Sequence, residues 1–167
     1  MQRLLFTLLL FASASCAVRI SSLQGQVDKR LERLDKERAH LKTLTDPVDR
    51  TKSDITISDI LLSLASDAVR SGEPEVLQKR LGEYVEAIED AHDALMKTGR
   101  DAHKKPKGFK DLEIALRHQI RMLDDIGKLL TFDQREPVDK AKQEASDIRE
   151  DMLKALFGDQ NAPSHKT

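Results

Sequence analysis

Residues 47–71 read PVDRTKSDITISDILLSLASDAVRS, from Pro47 to Ser71. At about 100° per residue the apolar positions fall on two helical stripes. Ile57, Leu61, Leu64 and Ala68 form one, and Val48, Ile55, Leu62 and Val69 the other. A helix with two apolar stripes must be covered on two sides, which places this segment in the middle of a bundle. Its ends are chemically marked. Pro47, after Asp46, supplies the φ of a first helical residue, and Gly72 follows where the helix should stop.

The same punctuation recurs along the chain. Glu73-Pro74 and Glu136-Pro137 open segments, and Gly99 and Gly158 close them. Apolar residues keep three- and four-residue spacing, without strand-like alternation. The expected helices are 23–44, 47–71, 74–98, 109–130 and 137–157. The first has a narrow stripe of Leu23, Val27, Leu31, Leu34 and Leu41. The third (Leu77, Leu81, Tyr84, Ile88, Leu95) and fifth (Val138, Ala141, Ile148, Met152, Ala155) are one-sided. The fourth carries Phe109, Leu112, Leu116, Leu123 and Leu130, flanked by Ala115, Met122, Ile126 and Leu129, so it too needs cover on two sides. Short connections favour antiparallel neighbours. The expected fold is an all-α, antiparallel up-and-down bundle of about five helices, forming one domain over 18–158. A stripe left uncovered on a one-sided helix would make the protein a homodimer.

Asp46-Pro47-Val48-Asp49-Arg50-Thr51-Lys52 matches Glu136-Pro137-Val138-Asp139-Lys140-Ala141-Lys142, which points to an internal hairpin repeat. As function, the match would give equivalent surface sites around Asp49/Lys52 and Asp139/Lys142. Helix-start chemistry accounts for most of the shared letters, because Pro fixes φ and acids favour the positive end of a helix.

The chain opens with Arg3, an apolar run from Leu4 to Phe11 broken only by Thr7, and the small residues Ala12 to Ala17. That is the layout of an export signal, too short for the roughly 20 residues that span a bilayer. The expectation is a signal peptide over 1–17 and a protein that is periplasmic or secreted. Cys16, the only cysteine, adds a second reading, a lipoprotein lipidated at Cys16 and tethered to the membrane. Either way the folded part stands without a disulfide. The polar tail, 159–167, reads as disordered.

Composition narrows the function. Without the signal, 27 basic residues face 29 acidic ones, a net charge of −2 that gives no general pull toward nucleic acid. Beyond the signal the only rings are Tyr84, Phe109, Phe132 and Phe157, too few to form stacking platforms for sugars or single strands. There is no Gly-rich phosphate loop and no Gly-x-Ser-x-Gly elbow. No cofactor is implied.

Three constellations remain. Glu37/His40 and Glu89/His92 are Glu-x-x-His pairs, the element from which di-metal centres in helical bundles are built. His92 lies in the apolar stripe of its helix, where a hydrogen-bonded edge position is the plainer reading. His40 falls about 120° from its stripe, toward solvent. The second helix holds no Glu, so further inward carboxylates are not evident. A metal-binding or metal-responsive bundle is thus the alternative function. Asp54 sits on the main stripe of the second helix; an acid there either serves a buried function, pairs with Arg50, or lies beyond the packed part. The third feature is the basic connection of 97–110. Arg100, His103, Lys104, Lys105, Lys107 and Lys110 could meet anionic lipid, polysaccharide or an acidic partner, or simply be solvated near a helix C-terminus.

Leu130-Thr131-Phe132-Asp133-Gln134-Arg135 resembles the Leu-Thr-x-x-Gln motif of the Spy/CpxP type of periplasmic helical proteins. The resemblance implies export and a chaperone-like role on an amphipathic cradle. The repeat-equivalent stretch, Leu44-Thr45-Asp46-Pro47-Val48, has Val in place of Gln. Thr131 and Gln134 also fit a capping box opening the fifth helix. The overall pattern resembles uncharacterised exported bacterial helical proteins. The functional expectation is a non-enzymatic protein of the cell envelope with a structural, binding or chaperone-like role, its partner an envelope component or another protein.

Overall fold

The computed structural model describes residues 17–158. Residues 1–16, with most of the expected signal and Cys16, lie outside the described residues, as does the 159–167 tail. The described chain is an all-α bundle of five helices: α1 (Ala17–Leu41), α2 (Pro47–Ser71), α3 (Pro74–Met96), α4 (Phe109–Lys128) and α5 (Glu136–Phe157). A 3-10 turn, Phe132–Gln134, precedes α5.

The helix boundaries follow the Pro and Gly signals. Asp46 caps α2, its carboxylate accepting from the N–H groups of Val48 and Asp49 at 2.9 and 3.1 Å. Gly72 closes it at φ +70°, and its N–H and that of Glu73 satisfy the last carbonyls. The first helix ends at Leu41, earlier than expected, where Thr43 and Leu44 fold into a turn. The capping box opens the 3-10 turn and not α5: the N–H of Thr131 donates to Gln134 Oε1 at 3.4 Å. Both halves of the proposed repeat open helices, by different means. Asp46 is a side-chain cap, whereas Glu136 is already helical and Arg135 offers no side-chain cap.

Helices α2 to α5 form an antiparallel four-helix core. α2 packs most extensively on α3, and α4 on α5; α3 also meets α5, and α2 meets α4. α1 lies outside this square on α2. The two stripes of α2 are therefore covered, as the sequence requires, by α1, α3 and α4. The third helix meets α2 and α5 and touches α4, and the fifth meets α4 and α3, more than a one-sided reading expects. Both helices carry small buried residues, Ala87 and Ala91 on α3 and Ala141 and Ala145 on α5. Of the α1 stripe only Leu34 is fully buried; Val27, Leu31 and Leu41 are half-buried. The side chain of Leu23 lies outside the described residues.

A polar network crosses the core. Gln119 of α4 donates to Ser58 Oγ at 2.7 Å and Asp59 Oδ1 at 2.8 Å on α2, and accepts from the Tyr84 hydroxyl of α3 at 3.3 Å. Three helices are thereby locked in register by one buried amide. Among the described residues no helix is long and apolar enough to cross a membrane.

Candidate functional site

The basic connection joins the last turn of α3 to α4. It has no regular helix, but it is a built structure. Asp101 organises its centre: its carboxylate accepts from the His103 N–H at 2.9 Å, and its carbonyl from the N–H groups of Lys104 and Lys105. Ala102 and Phe109 are buried and anchor it at both ends. Gly108, at φ +88°, lets the backbone press against the core; a Cβ there would stand 2.7 Å from Leu95 Cδ2 and 3.3 Å from Val48 Cγ2.

On this frame Arg100, His103, Lys104, Lys105, Lys107 and Lys110 are all exposed. Arg100 lies 3.8 Å from Asp46, and Lys104 3.5 Å from Asp101. His103, Lys105, Lys107 and Lys110 form no ion pair among the described residues. The lysines do not fold back onto the end of α3; Lys97 takes Asp93, and Thr98 covers the Leu95 carbonyl.

The two Glu-x-x-His pairs are not brought together. Glu37 accepts from Ser53 Oγ at 2.7 Å, between α1 and α2, while His40 is exposed. Glu89 is exposed on α3. His92 is half-buried between Asp93 (3.6 Å) and Asp151 of α5 (3.7 Å). Its Nε2 makes no hydrogen bond, while its Nδ1 faces Asp93, so His92 sits at the edge of α3 between two carboxylates. Among the described residues no three His, Cys, Asp or Glu side chains converge to hold a metal.

Asp54 corrects the sequence reading. It neither pairs with Arg50 nor lies beyond the packed part of α2. It is 1 % exposed, and its Oδ2 has no hydrogen-bond partner. The Arg50 guanidinium turns instead to the carbonyls of Leu41 and Leu44, at 3.5 and 3.3 Å, closing the end of α1. Burial, with repulsion from Asp90 on α3, raises the Asp54 pKa to about 7 despite Arg50.

Glu113 was not singled out by periodicity, yet it is buried between α4 and α5. Burial works against its charge, but hydrogen bonds from Arg117 and Arg149 outweigh it and hold the carboxyl below the usual range. Gln119 had a legible signal, a polar residue continuing the Leu112-Leu116-Leu123 stripe. Leu129 was expected under cover, but it is 59 % exposed as the C-cap residue following the end of α4 at Lys128, while Leu130 packs against the core.

The opposite end of the bundle holds a cleft of about 440 Å³, between the α2–α3 turn and the α4–α5 connection. Its walls come from residues far apart in sequence, so no local motif announces it. In comparisons with known proteins no family model matches the chain, and neither does any curated protein or solved structure.

Proposed function

We propose that this chain is an exported, non-enzymatic bundle protein of the cell envelope that works by binding, and that its basic connection holds a polyanionic envelope component. One observation supports this reading: Lys105, Lys107 and Lys110, with His103 beside them, are displayed without an ion pair among the described residues, on a loop whose backbone is anchored by Ala102, Gly108 and Phe109. A fixed frame presents its charges without first ordering a flexible segment. Export follows from the signal-like start of the chain, and binding as the mode of action from the helical faces and the basic connection.

The test is sedimentation with vesicles containing anionic lipid, run beside binding to an acidic polysaccharide. The triple variant Lys104→Glu, Lys105→Glu, Lys107→Glu is expected to lose at least tenfold in affinity for whichever polyanion binds. The parent should weaken as salt shortens the Debye length below its value of about 10 Å at 0.1 M. Undiminished binding by the variant, or no binding to either polyanion, would refute the role of the loop. Recovery of the untagged protein from the cytoplasm after expression in its host would refute export.

A further inference from the structure

We infer that the cleft at the other pole of the bundle binds a cationic peptide segment carrying apolar side chains, a ligand opposite in charge to that of the basic connection. Helices α2, α3, α4 and α5 run between the two poles, so the two surfaces lie about 30 Å apart at 1.5 Å per helical residue. The cleft is floored by Ala68, Leu77 and Leu130. Around them stand Glu73, Glu75, Asp133 and Glu136, and no Lys, Arg or His lines the cleft. Glu136 pairs with Lys140 at 2.8 Å, whereas Glu73, Glu75 and Asp133 form no ion pair among the described residues. Arg135, the basic residue of the connection, is turned to the Leu130 carbonyl at 3.2 Å.

Two large apolar side chains stand free beside this rim. Leu129 is 59 % exposed, and Phe132 is 88 % exposed in the adjoining hollow formed with Asp133, Glu136 and Asp139, whose one base, Lys140, is held by Glu136. First-turn acids complement a helix start, which accounts for Glu75 and Glu136. It does not account for an aromatic ring held in water beside Asp133, which itself opens the 3-10 turn. An apolar floor with an acidic rim matches a chain in which Leu or Phe alternates with Lys or Arg. The apolar side chains enter the cleft and the cations meet the carboxylates.

The probe is a fluorescein-labelled twelve-residue peptide of Leu and Lys, titrated into the purified chain, with a Leu and Glu peptide as control. Saturable binding of the Leu/Lys peptide is expected, with amide shifts concentrated at Gly72, Gln78, Leu130 and Phe132 in the nitrogen-15 spectrum. The pair Glu75→Lys, Asp133→Lys should weaken it at least tenfold, and Phe132→Ser several-fold. All three positions are exposed, so a helical circular dichroism spectrum with a cooperative melt will show that the variants fold, even where Glu75→Lys weakens the start of α3. Equal binding of the Leu/Glu peptide, full affinity in the charge-reversed variant, shifts centred elsewhere or no binding at 1 mM would each overturn the assignment. So would concentration-dependent shifts at the cleft without peptide, which would make a second copy of the chain its occupant.

Discussion

Asp54 is held where its charge is disfavoured, and this has a definite pH signature. Below its ordinary value of 3.8 the carboxyl is protonated in both folded and unfolded chains. Between there and about pH 7 the unfolded chain ionises while the folded one keeps its proton. This residue therefore removes stability as pH rises, and the loss levels off above pH 7. Asp54→Asn is neutral throughout, so it should be more stable than the parent at pH 8, by roughly 2–4 kcal/mol, with the difference shrinking toward zero near pH 4. Urea unfolding followed by circular dichroism at pH 4, 6 and 8 measures it. A variant less stable than the parent at pH 8 would show that the ionised carboxylate is wanted. Glu113 runs the other way, since its lowered pKa supports the fold above the ordinary carboxyl range and is lost as pH falls. Comparing variant with parent at each pH separates Asp54 from it. The position of Asp54 on the main stripe was legible in the sequence. Its missing partner was not, because Arg50 reaches backward to the end of α1, a choice made by the α1–α2 turn.

The connection between α3 and α4 shows how an element without regular structure can still be fixed. Gly108 combines a positive φ with a backbone pressed onto Leu95 and Val48. Gly108→Ala adds a Cβ to a filled space as well as a strained backbone, and is expected to cost roughly 2–4 kcal/mol. Gly99, also at positive φ (+60°), has open space around it, so Gly99→Ala should carry only the backbone cost of about 1–2 kcal/mol. Thermal and denaturant melts of the two variants compare them directly. Equal losses would mean that the loop can move off the core at no cost, and that its charges are not on a fixed frame. In sequence Gly108 reads only as a breaker. Its close approach depends on Val48 of α2, sixty residues earlier, which no local pattern reveals.

At the scale of the whole molecule the bundle is a four-helix core with one helix laid outside. α1 is tied to it by Arg30, which hydrogen-bonds Ser63 and Asp67 of α2, and by Arg38, 3.4 Å from Glu83 of α3. Among the described residues of its stripe only Leu34 is fully buried, with Val27, Leu31 and Leu41 partly so, a lighter hydrophobic hold than that of α2. Its amides are expected to exchange with solvent at least roughly tenfold faster than those at the centre of α2, opening while the core stays folded. Hydrogen exchange by mass spectrometry measures this, and uniform protection across α1 and α2 would show a single cooperative unit. The sequence by itself determined the helices. Proline, capping acids and glycine act within one turn, and apolar spacing states how many sides of each helix need cover, as the two stripes of 47–71 did. Only the tertiary structure decided which neighbours provide that cover. It buried Asp54 without a partner, left Leu129 and Phe132 in water, and set a basic loop and an acid-rimmed cleft at opposite ends. Those outcomes depend on pairs of residues brought together from distant segments, and a helical period carries no information about its neighbours.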